Sequence, residues 1–193
     1  MNERWRDMAA AGHLGQVDVA RAGLTDIDPV VRELSLGALE RCGDLDDDEL
    51  RSALHDEVAA IRRRAAQLAA RRPRLDLTAL LDDSDPTVVE QVAWTYGEHE
   101  VVDDTVLHRL IALAVAADVP LVREAAVAAL GAIGDDRGLP AILHGCNDTP
   151  AIRRRAVLAL APFATDEAET AIDRALTDRD WQVRQAAEDL RRA

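Results

Sequence analysis

Aliphatic residues in this chain return on a helical spacing, and that spacing itself recurs. Six segments carry a Val or Ile, usually followed by arginine, with a small residue four places after the aliphatic. They are Val31-Arg32 with Ser35, Ile61-Arg62 with Ala65, Val89-Glu90 with Ala93, Val122-Arg123 with Ala126, Ile152-Arg153 with Ala156, and Val183-Arg184 with Ala187. The aliphatics follow one another at 30, 28, 33, 30 and 31 residues. Within a segment the aliphatic, the fourth residue after it and the seventh or eighth lie on one helical face, as Ile152, Ala156, Ala159 and Leu160 do.

Helix starts are marked in the same places. Pro29, Pro86, Pro120 and Pro150 stand just before the aliphatic, where a missing N–H costs no intrahelical bond. Asp28, Asp85 and Thr149 precede three of them as N-caps. Each such helix, termed B, follows a shorter amphipathic helix A, for example Asp104 to Ala116, Leu139 to Gly145 and Glu167 to Leu176. A pair of about 30 residues cannot bury its own apolar face, so neighbouring pairs must stack.

The pattern predicts an all-α protein, a right-handed α-solenoid of about six helix pairs read as one domain over 1–193. Its repeats run at about 13–42, 43–72, 73–99, 100–134, 135–163 and 164–193. Residues 1–12 form an N-terminal cap whose helix, Asn2 to Ala11, fits no repeat, with Trp5 covering apolar surface. Trp181 is the similar candidate at the other end.

The motif Asp-x-x-x-(Val/Ile)-Arg-x-x-Ala, read from Asp118 and from Asp148, resembles the HEAT family, and the short unit is similar to the HEAT-like repeats of phycobilin lyases. The resemblance implies that Arg32, Arg62, Arg123, Arg153 and Arg184 are structural, pairing with aspartates along the stack as an inter-repeat ladder. It implies a fold and not an activity, because this architecture carries scaffolds, adaptors and a few enzymes.

Composition narrows the partners. Net charge is −13, with 23 basic residues, every one of them arginine, and 36 acidic ones. Such a chain repels a phosphate backbone, so no nucleic acid is expected. The missing lysine reads as the codon bias of a GC-rich bacterial genome. Many acids stand between helices, where N-termini favour an anion. No apolar run has the roughly 20 residues of a membrane span, and Cys42 and Cys146 have no CxxC companion, which reads as a reduced, cytoplasmic protein.

The residue two places after each aliphatic points away from the apolar face, toward the groove expected of stacked B helices. That groove would carry Arg63, Gln67, Gln91, Glu98, Glu124 and Arg154, polar and mixed in sign, suited to a peptide or protein segment. The third repeat is atypical. Glu90 takes the ladder arginine's place, while Trp94 and Tyr96, aligned with apolar positions such as Leu36 and Ala38, read as local core filling. His99, Glu100, Asp104 and His108 could approach one another, but neighbouring acids at a helix start are common and no metal is expected.

No enzyme is expected and no cofactor. The repeated His-Glu dipeptides of deoxyhypusine hydroxylases are reduced here to His99-Glu100, and serine–histidine–acid and glycine-rich phosphate motifs do not appear. The expected function is a non-catalytic adaptor for a protein or peptide, with a helical-repeat enzyme or nucleic-acid binder of the alkylpurine DNA glycosylase type as the alternative.

Overall fold

A computed structural model describes residues 3–192, and Asn2, where the sequence reading starts its first helix, lies outside them. The described residues form twelve α-helices and two short 3-10 turns. They group into two compact units that divide between Leu77 and Thr78.

The first unit holds α1 (Glu3–Leu14), α2 (Val17–Gly23), α3 (Pro29–Cys42), α4 (Asp47–Ala53) and α5 (Ala59–Ala69). Here α3 packs between α1 and α5, with α2 and α4 alongside. The second holds a 3-10 turn (Thr78–Asp82), α6 (Pro86–Gly97), α7 (Asp104–Ala116), α8 (Pro120–Ile133), a 3-10 turn (Asp136–Gly138), α9 (Leu139–Gly145), α10 (Pro150–Ala159), α11 (Asp166–Ala175) and α12 (Trp181–Arg192). In this unit the B helices α6, α8, α10 and α12 stack in chain order, and the A helices α7, α9 and α11 form a second layer.

Local chemistry explains the boundaries. Asp28, Asp85 and Asp103 accept a backbone N–H of the first helical turn with their carboxylates, and Asp46 with Glu49 closes a capping box. Gly43 (φ 72°) and Gly134 (φ 68°) end α3 and α8 in the left-handed conformation that glycine adopts without strain.

Buried residues fix the register of the B helices. Each begins its buried face with an aliphatic: Val31, Ile61, Val122, Ile152 and Val183. In α6 that residue is Val88, not Val89 as the sequence pattern suggested. Pro86 stands two places before it, as Pro29, Pro120 and Pro150 do before theirs, and Val88, Val92, Ala93, Thr95 and Tyr96 are buried at the offsets of Val31, Ser35, Leu36, Ala38 and Leu39. The Val88-Val89 doublet hid the shift, since both side chains are buried. Val89 therefore occupies the arginine position, and Glu90 takes the offset that Glu33, Arg63, Glu124, Arg154 and Gln185 have in their own helices.

Arg32, Arg123 and Arg153 bind two loops at once. Arg32 grips Asp56 through Nε and Nη2 (2.9 Å each) while its Nη1 donates to the Asp26 carbonyl at 2.9 Å. Arg123 does the same with Asp148 (2.7 and 3.1 Å) and the Ala117 carbonyl, and Arg153 with Asp178 (2.9 and 2.8 Å) and the Asp148 carbonyl. Arg62 and Arg184 donate to the carbonyls of Asp56 and Asp178. Where Val89 stands in place of arginine, Ala117 stands at the offset of Asp26, Asp56 and Asp178. Both sides of that rung are apolar, a replacement that leaves no charge buried without a partner.

The first helix is not foreign to the pattern. Arg4 pairs with Asp26, the first loop aspartate, and Trp5 Nε1 donates to Asp28 at 2.7 Å. A further regularity, unread in the sequence, concerns backbone approach. A Cβ on Gly12 would lie 2.8 Å from Ala38 Cα, one on Gly97 3.3 Å from Ala129 Cα, and one on Gly131 2.6 Å from Ala159 Cα. These glycines share one offset in α1, α6 and α8, and the alanines share another in the next B helix, so the axes meet at bare backbone.

Two outcomes follow from this packing. Gly131→Ala gains about 1 kcal/mol of helix propensity, yet it must push α8 off α10, and we expect a net loss of about 1–3 kcal/mol in urea unfolding. A stabilised variant would contradict the close approach. Arg123, through its bidentate bond, and the Thr149 N–H hold the Asp148 carboxyl below its ordinary value against the opposing effect of burial. With the folded value depressed, the rung's stabilisation is complete above the unfolded value near ~3.9 and is lost as pH falls through the folded one. Arg123→Gln should cost about 1–2 kcal/mol at neutral pH and distinctly less at acid pH, read from urea midpoints of both proteins. An equal cost at both would assign the effect to the arginine stem.

Candidate functional site

With the register set, the outward face of the B helices in the second unit can be read position by position. Two, three and six places after the first buried aliphatic stand Glu90, Gln91 and Trp94 on α6, Glu124, Ala125 and Ala128 on α8, Arg154, Arg155 and Leu158 on α10, and Gln185, Ala186 and Asp189 on α12. The size of the middle residue decides whether adjacent helices leave space between them. On α10 it is Arg155, whose Nε lies 3.6 Å from the Glu124 carboxylate and bridges α8 to α10. On α8 and α12 it is alanine, and there clefts open.

The larger, about 410 Å³, lies between α6 and α8 and is lined by Glu90, Trp94, Glu98, Leu121, Glu124, Ala125, Ala128 and Ala132, with Arg155 at its edge. Trp94 is 49% exposed and Leu121 38%, so the expectation that Trp94 fills the core is overturned. The one-residue shift moves it from the buried offset of Leu36 and Val127 to that of Gly37, Ala128 and Leu158. Tyr96, in contrast, is buried, with its hydroxyl 3.1 Å from Thr78 Oγ1. Neither the Glu90 nor the Glu98 carboxylate has a hydrogen bond or ion pair with another described residue. The second cleft, about 250 Å³ between α10 and α12, is lined by Arg154, Leu158, Trp181, Gln185 and Asp189. Trp181 is 63% exposed beside it, on the face and not over the end of the stack.

Of the groove residues expected from sequence, Glu98 and Glu124 share the α6–α8 cleft, and Arg154 lines the other. Gln91 is half-buried at the offset of Ala125 and Arg155. Arg63 and Gln67 are exposed on α5, in the first unit. Leu121, Ala125 and Ala128 went unread as functional because small and aliphatic residues look like core. The stripe Glu90, Trp94, Glu98, at i, i+4 and i+8, was the available signal.

Other chemistry is dispersed. His99 is buried edge-on to Tyr96, ring centres 5.7 Å apart, while Glu100, Asp104 and His108 are exposed. Among the described residues no group of three or more His, Cys, Asp or Glu could hold a metal. The two cysteines are free, and burial pushes the Cys146 thiol up to about 11, which keeps it protonated at neutral pH. Among the described residues no helix is long and apolar enough to cross a membrane.

A family model described as HEAT repeats matches residues 75–161. No curated protein matches the chain. Among solved structures, the Escherichia coli protein YibA is 21% identical with a TM-score of 0.63, the match covering 80% of this chain and 60% of YibA, so the chain spans well under the whole of that relative. A designed armadillo repeat protein in complex with the peptide (KR)4 is 16% identical with a TM-score of 0.63, covering 93% and 98% of the two chains. Human deoxyhypusine hydroxylase in complex with glycerol is 17% identical with a TM-score of 0.50, covering 98% and 78%. At these identities the likenesses show the fold, an all-helical repeat array of the α-solenoid class, and the family match supports HEAT repeats over the stretch that holds α6, α8 and the cleft between them.

Proposed function

We propose that this chain is a non-catalytic adaptor that binds a protein segment along the outward face of α6, α8, α10 and α12. The carrying observation is the pair of clefts on that one face, each open because an alanine replaces a bridging side chain and each beside an exposed tryptophan. Tryptophan is among the residues most enriched at binding hot spots. Single scattered apolar residues would need no such explanation.

B helices stack at roughly 8–10 Å, and the clefts stand two helix steps apart, near ~20 Å. At about 3.3–3.6 Å per residue, an extended segment of about six residues would reach from one to the other. The designed armadillo protein similar in fold holds a peptide, which supports a segment as ligand. The net charge of −13 argues against the nucleic-acid alternative, whose affinity would depend on neutralising phosphates. The units of about 30 residues support the finer likeness to the repeats of phycobilin lyases, and free cysteines fit a reducing cytoplasm.

Site-resolved cross-linking tests the reading. Photoreactive benzoylphenylalanine at Arg154 or Gln185 should capture a protein, insensitive to nuclease, and the same probe at Val115 or Thr170 on the A layer should not. Capture confined to Val115 and Thr170 would move the interface to the A helices. Nuclease-sensitive capture would restore the alternative.

A further inference from the structure

We propose that the α6–α8 cleft is a pocket for an arginine side chain presented by an extended segment of a partner protein. The proposal rests on the reading of the B face as the binding surface and adds the chemistry of what enters it. Three features of the pocket select the occupant.

Its floor is apolar and shallow. Ala125, Ala128 and Ala132 of α8 offer methyl groups, and Leu121 adds an aliphatic side chain at 38% exposure. Such a floor takes the aliphatic stem of a long side chain.

Its wall is an indole. Trp94 stands 49% exposed, at the offset where the other B helices carry Gly37, Gln67, Ala128, Leu158 and Asp189. A guanidinium stacks on an indole face with cation–π attraction, and tryptophan is the best aromatic partner for it.

Its rim is acidic and unfilled. Glu90, on α6, and Glu98, which caps its C-terminus, flank Trp94 four residues to either side, with no ion pair to any described residue. Glu124 faces them from α8. The one cation at the edge, Arg155, already pairs with Glu124. Three carboxylates against one guanidinium leave the cleft two charges negative, and a planar fork of N–H donors suits carboxylates on two sides. An anionic or purely apolar segment would bury these acids without a partner, which is costly.

Fluorescence anisotropy with a fluorescein-labelled (Arg-Ser)4 peptide at 0.15 M salt tests the pocket, with the citrulline-Ser peptide as the neutral isostere. We expect the arginine peptide to bind at least tenfold more tightly. Trp94→Ala should weaken it at least tenfold while Trp94→Phe keeps most of the affinity, and circular dichroism melting should confirm that both fold. Glu90→Gln with Glu98→Gln should weaken it similarly, whereas Asp18→Asn with Asp136→Asn, which removes two charges off the face, should change it less than twofold. Equal weakening by the two charge pairs would reveal diffuse attraction to an acidic protein and overturn the pocket, as would normal binding by Trp94→Ala or no preference over citrulline. Because the cross-linking at Arg154 and Gln185 does not depend on cation preference, a negative peptide result with positive cross-links would reject the pocket alone.

Discussion

A guanidinium that holds two loops at once is the interaction on which this stack depends. Arg32, Arg123 and Arg153 each use Nη1 to close the turn that begins their own helix, and Nε with Nη2 to clamp the aspartate of the next turn. The same aspartate receives a backbone N–H at the start of the following helix, as Asp56 does from Val58 and Asp178 from Asp180. One side chain thus sets a helix start and the position of its neighbour together. Hydrophobic burial alone would allow the pairs to slide, since alanine and valine faces are nearly interchangeable. The bidentate geometry and the bare glycine–alanine approaches remove that freedom.

The break in the ladder lies in the helix that carries the candidate site. Val89 and Ala117 take the two sides of a rung, and α6 is held against α8 instead by close backbone approach at Gly97. On the outward side of the same two helices, alanines leave room that Arg155 fills one step later. A charged bridge between α6 and α8 would have closed the cleft. The departures from the repeat therefore cluster at the cleft proposed as a binding surface, and local rules are expected to yield where a site is built.

Much of this was legible from residues alone. The recurrence of Val/Ile-Arg-x-x-Ala, the aspartates and prolines before it, and the A helices at Asp104 and Leu139 agree with the observed elements because capping and helical periodicity are local signals. The first valine of α6 was misplaced because Val89, with Ala93 four places on, satisfies the pattern better than Val88, which has Val92 there, and only the packed structure decides which begins the buried face. That one-residue error turned Trp94 into a core residue and Glu90 into a ladder defect. The role of Arg4 was missed because Glu3 precedes it where a valine or isoleucine precedes the other arginines. The cleft itself depends on what is absent, long side chains at Ala125 and Ala186, and no positive sequence signal marks a missing side chain.

The central claim is that partners meet this protein at the outward face of the second unit's B helices, with Trp94 at the contact. Labelling with 5-fluorotryptophan gives three fluorine NMR signals, from Trp5, Trp94 and Trp181, each assignable by substitution with phenylalanine. On addition of the partner recovered by cross-linking, the account predicts that the Trp94 signal shifts and loses solvent exposure while that of Trp5, bonded to Asp28 in the first unit, stays in place. A Trp94 signal that remains unchanged in the saturated complex would contradict it.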